Sequence, residues 1–308
     1  MDEKQRAEWI EQRRKCITGT DIGALVGVNH WASPMTVFLD KLGLSDPLLE
    51  NEPMIWGRLL EPVIAGRYAR DAGITLTDGV FIRKDPIGGG TPDYLADDKV
   101  IEIKTAGIHM AKHFGEAGTD EIPDHYMTQV QWYLYLTDLE KADLVALIAG
   151  QDYRIYHIQR NQKLIDILIV RACEFWENHV EPQIPPPMDA TPGSEIFLKS
   201  FFPRSQGNIY QATPDAALIM DHLHGVRTAA AALDLRRAEL ENQLKYEIGT
   251  NDGLESSKYK VTWRSVKTGV KTDWERIAKE CNPDTMLIDK YSANKAESRR
   301  FVFTSKTI

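Results

Sequence analysis

The stretch KVIEIKT, residues 99–105, constrains this chain more than any other. It reads as an apolar β-strand that carries a charged pair near its end, where burial without a partner is costly. Residues two apart on a strand share a face, so Glu102 and Lys104 project together while Ile103 points into the core. The strand closes a β-meander that begins at Ile74 and runs through ITLTDGVFIRKD and GGGTPDYLADD. Asp97-Asp98 is a turn short enough to make the last two segments a hairpin, and Asp93, on the preceding strand, reaches the same edge. Asp93, Glu102 and the backbone carbonyl of Ile103 then form an all-oxygen site suited to Mg²⁺ or Mn²⁺. Lys104 beside it can orient or deprotonate a water and offset phosphate charge. Taken alone, E-x-K is more often an exposed pair on an edge strand, so its surroundings must decide.

The flanking segments read as helices and further strands. Residues 2–15 are polar and helical, and Thr18–Val26 is a short helix with Ala24, Leu25 and Val26 for the core. Ser33-Pro34 is an N-cap followed by proline at the first helical position, with Gly43 as the stop. Residues 54–72 form a helix with Ile55, Leu59, Val63 and Tyr68 on its inner side and Gly73 as C-cap. Glu61 lies within it, just before Pro62, which removes one amide and loosens the turn. Residues 106–116 and 123–137 are helical; in the second, Tyr126 and Gln129 share a face, and a glutamine in so apolar a helix needs a buried partner. The strands KADLVALIAG and YRIYHIQ follow, then a helix over 162–180 with Leu164, Leu168, Ala172, Phe175 and Trp176 on one face. The class is α/β (α+β), a mixed central sheet flanked by helices.

The segment PQIPPPMDATPG holds five of the fifteen prolines. It predicts a linker at 182–194 between a domain at 1–181 and an accessory domain at 195–308. The accessory part reads as a long helix at 213–248 with strands at 258–265, 287–291 and 300–306. Residues 255–308 carry twelve Lys or Arg against seven Asp or Glu, so with −8 overall the first 254 residues carry −13. Cys16, Cys173 and Cys281 are widely spaced, which excludes a disulfide framework or zinc ribbon and predicts buried thiols. No apolar run approaches a membrane span, and the charged N-terminus lacks a signal peptide's apolar centre, so a cytoplasmic location is expected. His109 and His113 have zinc-compatible spacing but no third ligand, and Gly88–Gly90 has no phosphate-loop context and predicts close strand packing.

Several short motifs occur in a recognisable order: Trp9 and Arg13, ITGT at 17–20, WGxxxE at 56–61, TPD at 91–93, EIK at 102–104 and YMxQVQ at 126–131. Over residues 9 to about 180 the chain resembles the YqaJ viral recombinase family, lambda-exonuclease-like nucleases of the PD-(D/E)xK fold. The resemblance implies a Mg²⁺-dependent 5′-to-3′ exonuclease acting on double-stranded DNA ends and leaving 3′ single strands for phage-type recombination. It implies metal ligation by Asp93, Glu102 and the Ile103 carbonyl, with Glu61 completing or extending the site. Lys104 would position the water, and Gln129 would orient Lys104 or that water. Arg13, Thr20 and Thr91 would hold the 5′-phosphate, although TAGIHMAKHF offers no second arginine for that pocket. A bacterial host with a phage or prophage gene, a homotrimeric ring and a single-strand annealing partner are further implications. An endonuclease of the same fold and a non-catalytic DNA-binding scaffold are the alternatives.

Overall fold

The computed structural model describes residues 3–45, 51–266, 272–292 and 299–304. The chain divides into two units, Met1–Phe201 and Phe202–Ile308. The first begins with α1 (Glu3–Arg14), α2 (Gly19–Leu25), α3 (Pro34–Lys41) and α4 (Glu52–Ala72). Local chemistry sets these limits: the Ser33 hydroxyl accepts from the Thr36 amide and Pro34 opens α3. Gly73 ends α4 in the left-handed conformation at φ 66°.

Strands β1 (Thr77–Asp78), β2 (Ile82–Lys84), β3 (Gly88–Gly90), β4 (Tyr94–Ala96) and β5 (Lys99–Ala106) follow. After a 3₁₀ turn at Ile108–His113 come α5 (Asp124–Thr137), β6 (Lys141–Ile148), β7 (Asp152–Gln159) and α6 (Gln162–Phe175), which continues into a π turn at Trp176–Val180. The main sheet has the order β1-β4-β5-β6-β7, with β5 parallel to β6 and its other pairs antiparallel. The expected hairpin pairs Ala96 with Lys99. The middle of the meander instead folds off as a separate β2-β3 hairpin. Its glycines pack closely: a Cβ on Gly89 would lie 2.5 Å from the Cys16 sulfur.

The alternation of β5 divides the core. Val100 faces a cluster containing Leu144, Ala146, Leu134 of α5 and Phe38 of α3. Ile101 and Ile103 face Val145 and the Ile64, Ala65 and Tyr68 side of α4. Each such buried aliphatic side chain contributes roughly 1.5–3 kcal/mol. Glu102 and Lys104, in phase with Val100, therefore emerge on the α5 side.

Three expectations need correction here. Tyr68 is buried as expected, but Leu59 and Val63 are exposed and Ile64 and Ala65, flanked by the partly buried Leu60, take their place in the core. That stripe brings the Tyr68 hydroxyl to the buried Asp143 carboxylate, which needs donors. The first unit extends through the proline-rich stretch to α7 (Pro192–Phe201), because Phe197 is buried and packs edge-on to Phe38. Of the three thiols only Cys16 is buried; Cys281 is exposed.

The second unit contains α8 (Pro214–Ile248), the hairpin β8 (Gly253–Glu255) and β9 (Lys260–Thr262), α9 (Trp274–Cys281) and α10 (Thr285–Tyr291). Residues 287–291 are thus helical rather than a strand, because the Asp284 carboxylate caps the Leu287 amide at 2.7 Å. Residues 300–304 form no strand, and 305–306 lie outside the described residues. Among the described residues, no helix is long and apolar enough to cross a membrane.

Candidate active site

The charged pair on β5 is partnered. Glu102 is buried, and its Oε1 accepts from Lys104 Nζ at 2.6 Å and from Gln129 Nε2 of α5 at 2.8 Å. Gln129 Nε2 also reaches the Tyr133 hydroxyl at 3.2 Å. The glutamine's buried partner, demanded by the apolar helix, is thus the β5 carboxylate. Gln131 serves elsewhere: it donates to the Gln159 carbonyl and accepts from the Asn161 amide. Asp93 immediately precedes β4, and its Oδ2 accepts from the Ile103 amide at 2.8 Å. Its backbone carbonyl accepts from Gly79, a position where any Cβ would collide with the Pro92 carbonyl at 1.7 Å.

The cluster holds more negative charge than it neutralises. Burial, then Asp93, pushes the Glu102 carboxyl upward against the pull of Lys104. Asp93 is also raised by burial, with Lys104 and the Ile103 amide opposing. Burial disfavours charge on Lys104, but Glu102 and Asp93 outweigh it and hold the ammonium protonated above its ordinary range. Glu61 on α4 lies within the field of this cluster: burial first, then Asp93 and Asp78, raise it to about 7. Glu102 Oε2 is buried without a hydrogen-bond partner. An orphaned carboxylate oxygen beside a second, half-buried carboxylate fits a hard divalent cation. Among the described residues no three His, Cys, Asp or Glu side chains converge as a ready-made cage. Two carboxylates with a backbone carbonyl and water in the remaining positions suit Mg²⁺, which keeps several waters.

A second constellation lies at the junction of α1 and α2. Arg13 Nη2 donates to Thr20 Oγ1 at 2.9 Å and to Thr18 Oγ1 at 3.4 Å, and the guanidinium lies 4.5 Å from the centroid of the Trp9 ring. Trp9 Nε1 donates to Thr91 Oγ1 at 3.3 Å, bringing the third expected residue to the same place from 82 positions away in sequence. A guanidinium fork with hydroxyls on its rim is chemistry for a phosphate.

Beneath this pocket is a buried ion pair that the sequence reading did not single out. Lys41 Nζ of α3 donates to Asp21 Oδ2 at 2.6 Å and to the Arg13 carbonyl at 3.1 Å. Asp21 Oδ2 also accepts the Thr18 amide at 2.8 Å and its hydroxyl at 2.7 Å. Burial raises the Asp21 carboxyl, but Lys41 and Arg13 outweigh it and hold it below the ordinary carboxylate range. An acidic residue three positions after Thr18 is what any capping box would carry, and the hint in the sequence is a lysine within the apolar turn VFLDK.

Pocket and carboxylate cluster adjoin. A Cβ on Gly19, next to Thr20, would meet the Tyr133 ring at 2.9 Å and Gln129 Cγ at 3.2 Å, the same Gln129 that holds Glu102. Thr91 and Asp93 are two residues apart. Behind the sheet, Asp143 of β6 accepts from Tyr68, from Lys99 Nζ at 3.0 Å and pairs with His157 Nδ1 at 2.7 Å, pinning α4 and hence Glu61. His109 and His113 stand on the 3₁₀ turn and gather no ligand set among the described residues.

Fold and site thus describe an α/β domain with a buried carboxylate-lysine cluster beside an anion pocket. Residues 8–140 match the YqaJ-like viral recombinase domain. The chain is 29% identical over 275 residues to the Uncharacterized protein YqaJ of Bacillus subtilis (strain 168), covering 86% of this chain and 85% of that one. Among solved structures it is similar to an alkaline exonuclease, LHK-Exo, from Laribacter hongkongensis (23% identity, TM-score 0.48, 58% of this chain and 94% of that one). It is also similar to a phage-related exonuclease from Haemophilus somnus 129PT (15% identity, TM-score 0.44, 55% and 96%).

Proposed function

We propose that the chain is a divalent-metal-dependent exonuclease on double-stranded DNA ends, degrading 5′ to 3′ and leaving a 3′ single strand for recombination by annealing. The observation that carries this reading is the adjacency of two sites. One is a phosphate pocket at Arg13, Thr20 and Thr91. The other is the pair of Asp93 with the buried Glu102, in which one Glu102 oxygen is saturated by Lys104 and Gln129 and the other is left unpartnered. A pocket of that kind suits a terminal phosphate, and the carboxylates beside it suit hydrolysis of the neighbouring phosphodiester.

Asp93, Glu102 and the Ile103 carbonyl would hold a Mg²⁺ or Mn²⁺ ion, and Glu61 would extend the set. When bound, the ion lowers the pKa of water and neutralises charge on the phosphate. Lys104 offers N–H donors to the attacking water and to the phosphate oxygens on which charge builds as the bond to the 3′ oxygen breaks. Gln129 fixes the Glu102 carboxylate so that the lysine keeps one position. Arg13 and the threonines anchor the end and set the register of the next phosphodiester. The ring assembly and annealing partner implied by the family resemblance belong to the same proposal.

Linear duplex labelled separately at each end, with a 5′-phosphate or 5′-hydroxyl and with Mg²⁺ or EDTA, tests it alongside a closed circle. Mg²⁺-dependent release from the 5′ end with the circle intact is the expected result. Cleavage of the circle would make the chain an endonuclease, and inertness toward both would leave a DNA-binding scaffold.

A further inference from the structure

Helix α8 has 35 residues, and of these only Ile248 is buried. A helix of that length at 1.5 Å per residue spans about 52 Å. Its exposed apolar residues follow a heptad. Ile219, Val226, Leu233 and Leu240 recur every seven residues and are 67%, 65%, 70% and 43% exposed. Three or four residues away on the same stripe stand Ala216, Leu223, Ala230, Arg237 and Leu244. Apolar residues alternating three and four apart over more than four heptads define a coiled-coil seam.

We infer that α8 pairs with α8 of a second copy of this chain as an antiparallel two-stranded coiled coil, giving an interface separate from the nuclease site. The seam itself selects the occupant. Laid antiparallel about a two-fold axis between Ala231 and Ala232, Ile219 meets Leu244 of the second copy and Leu223 meets Leu240. Ala230 meets Leu233, so large side chains face small ones. Arg237 meets Val226, lays its stem along the seam and keeps its head with Asp234 and Glu241 of its own helix, at 3.1 and 3.7 Å. In the same register Arg227 of each copy lies nearest Asp234 of the other.

The parallel arrangement stacks Arg237 on Arg237 and Ala230 on Ala230, a like-charge contact and a void on one seam. Two-fold pairing is self-complementary, so one patch serves both copies. It removes on the order of 1,500 Å² from water, the size of a standard stable interface.

The test uses the full chain. Light scattering of V226D/L233D is expected to show half the wild-type mass, whatever other assembly the first unit forms. Arg227→Glu alone is expected to weaken pairing, and R227E/D234R to restore it, which a folding defect would not do. A spin label at position 221, with Cys173 and Cys281 replaced by serine, is expected to show a separation of about 30 Å between copies. A mass unchanged in V226D/L233D, a swap that fails to restore pairing, or a label separation under about 15 Å would overturn the inference.

Discussion

Two polar clusters in the first unit behave oppositely. At Asp21 the charge is matched: one carboxylate meets one ammonium, an amide and a hydroxyl, and its pKa lies below the ordinary range. Around Glu102 the charge is unmatched: Asp93, Glu102 and Glu61 share one lysine and their pKa values lie above it. A saturated cluster has nothing left to offer a ligand and serves to hold geometry, here the backbone of Arg13 and the cap of α2. An unsaturated cluster retains the demand for a cation that hydrolysis would use.

The largest expected effect tests the unsaturated side. Lys104→Met is predicted to reduce DNA end hydrolysis by roughly 10³-fold, a loss typical of removing a group that stabilises transition-state charge. Near-normal turnover in a single-turnover assay would remove the lysine from the chemistry.

The saturated side predicts a loss of stability. Lys41→Met strands the Asp21 carboxylate and is expected to cost about 3–5 kcal/mol in urea unfolding, as breaking buried pairs does. K41M/D21N, which removes both charges, should recover part of it. A cost under about 1 kcal/mol for the single change would show that the pair is not a structural anchor.

Arg13→Ala tests the pocket between the two clusters. Losing charge-assisted hydrogen bonds of about 1.5–3 kcal/mol should erase most of the preference for a 5′-phosphate over a 5′-hydroxyl while cleavage at the 5′-hydroxyl end persists. Equal losses on both ends would assign Arg13 to the chemistry or the fold.

The smallest effects are pH slopes of opposite sign. Asp21 is depressed in the fold, so the stability it supplies is complete above its ordinary value of 3.8 and is lost as pH falls through its lower folded value. Glu61 is raised from 4.5 to about 7, so the folded state binds the extra proton. Stability without metal should therefore decline as pH rises through that interval. Thermal unfolding in EDTA is predicted to show this decline, flattened by Glu61→Gln; an unchanged slope in that variant would relocate its origin.

Much of this was readable along the chain. Residues two apart on a strand share a face, which put Glu102 beside Lys104, and an amide in an apolar helix had to find a partner, which Gln129 found in Glu102. The ion pair under the pocket was not readable, because Asp21 by itself is a plausible cap and Lys41 gains meaning only when α3 lies against α1. Nor was the Tyr68–Asp143 contact, which chose a different buried stripe of α4 from the one its apolar spacing suggested. The proline run suggested a boundary too early, since prolines break helices without deciding whether the next helix packs back.

The sequence by itself determined the period of each element, its caps and turns, and the short-range grouping of charges, because these depend on neighbours within about four residues. Only the tertiary structure decided which face of α4 is buried, that α7 belongs with the first unit, and that one Glu102 oxygen is satisfied while the other is not. Those outcomes depend on contacts 27 to 159 residues apart, such as Gln129 with Glu102 and Phe38 with Phe197. Such contacts form where the whole core buries its apolar surface with fewest polar groups left unpaired.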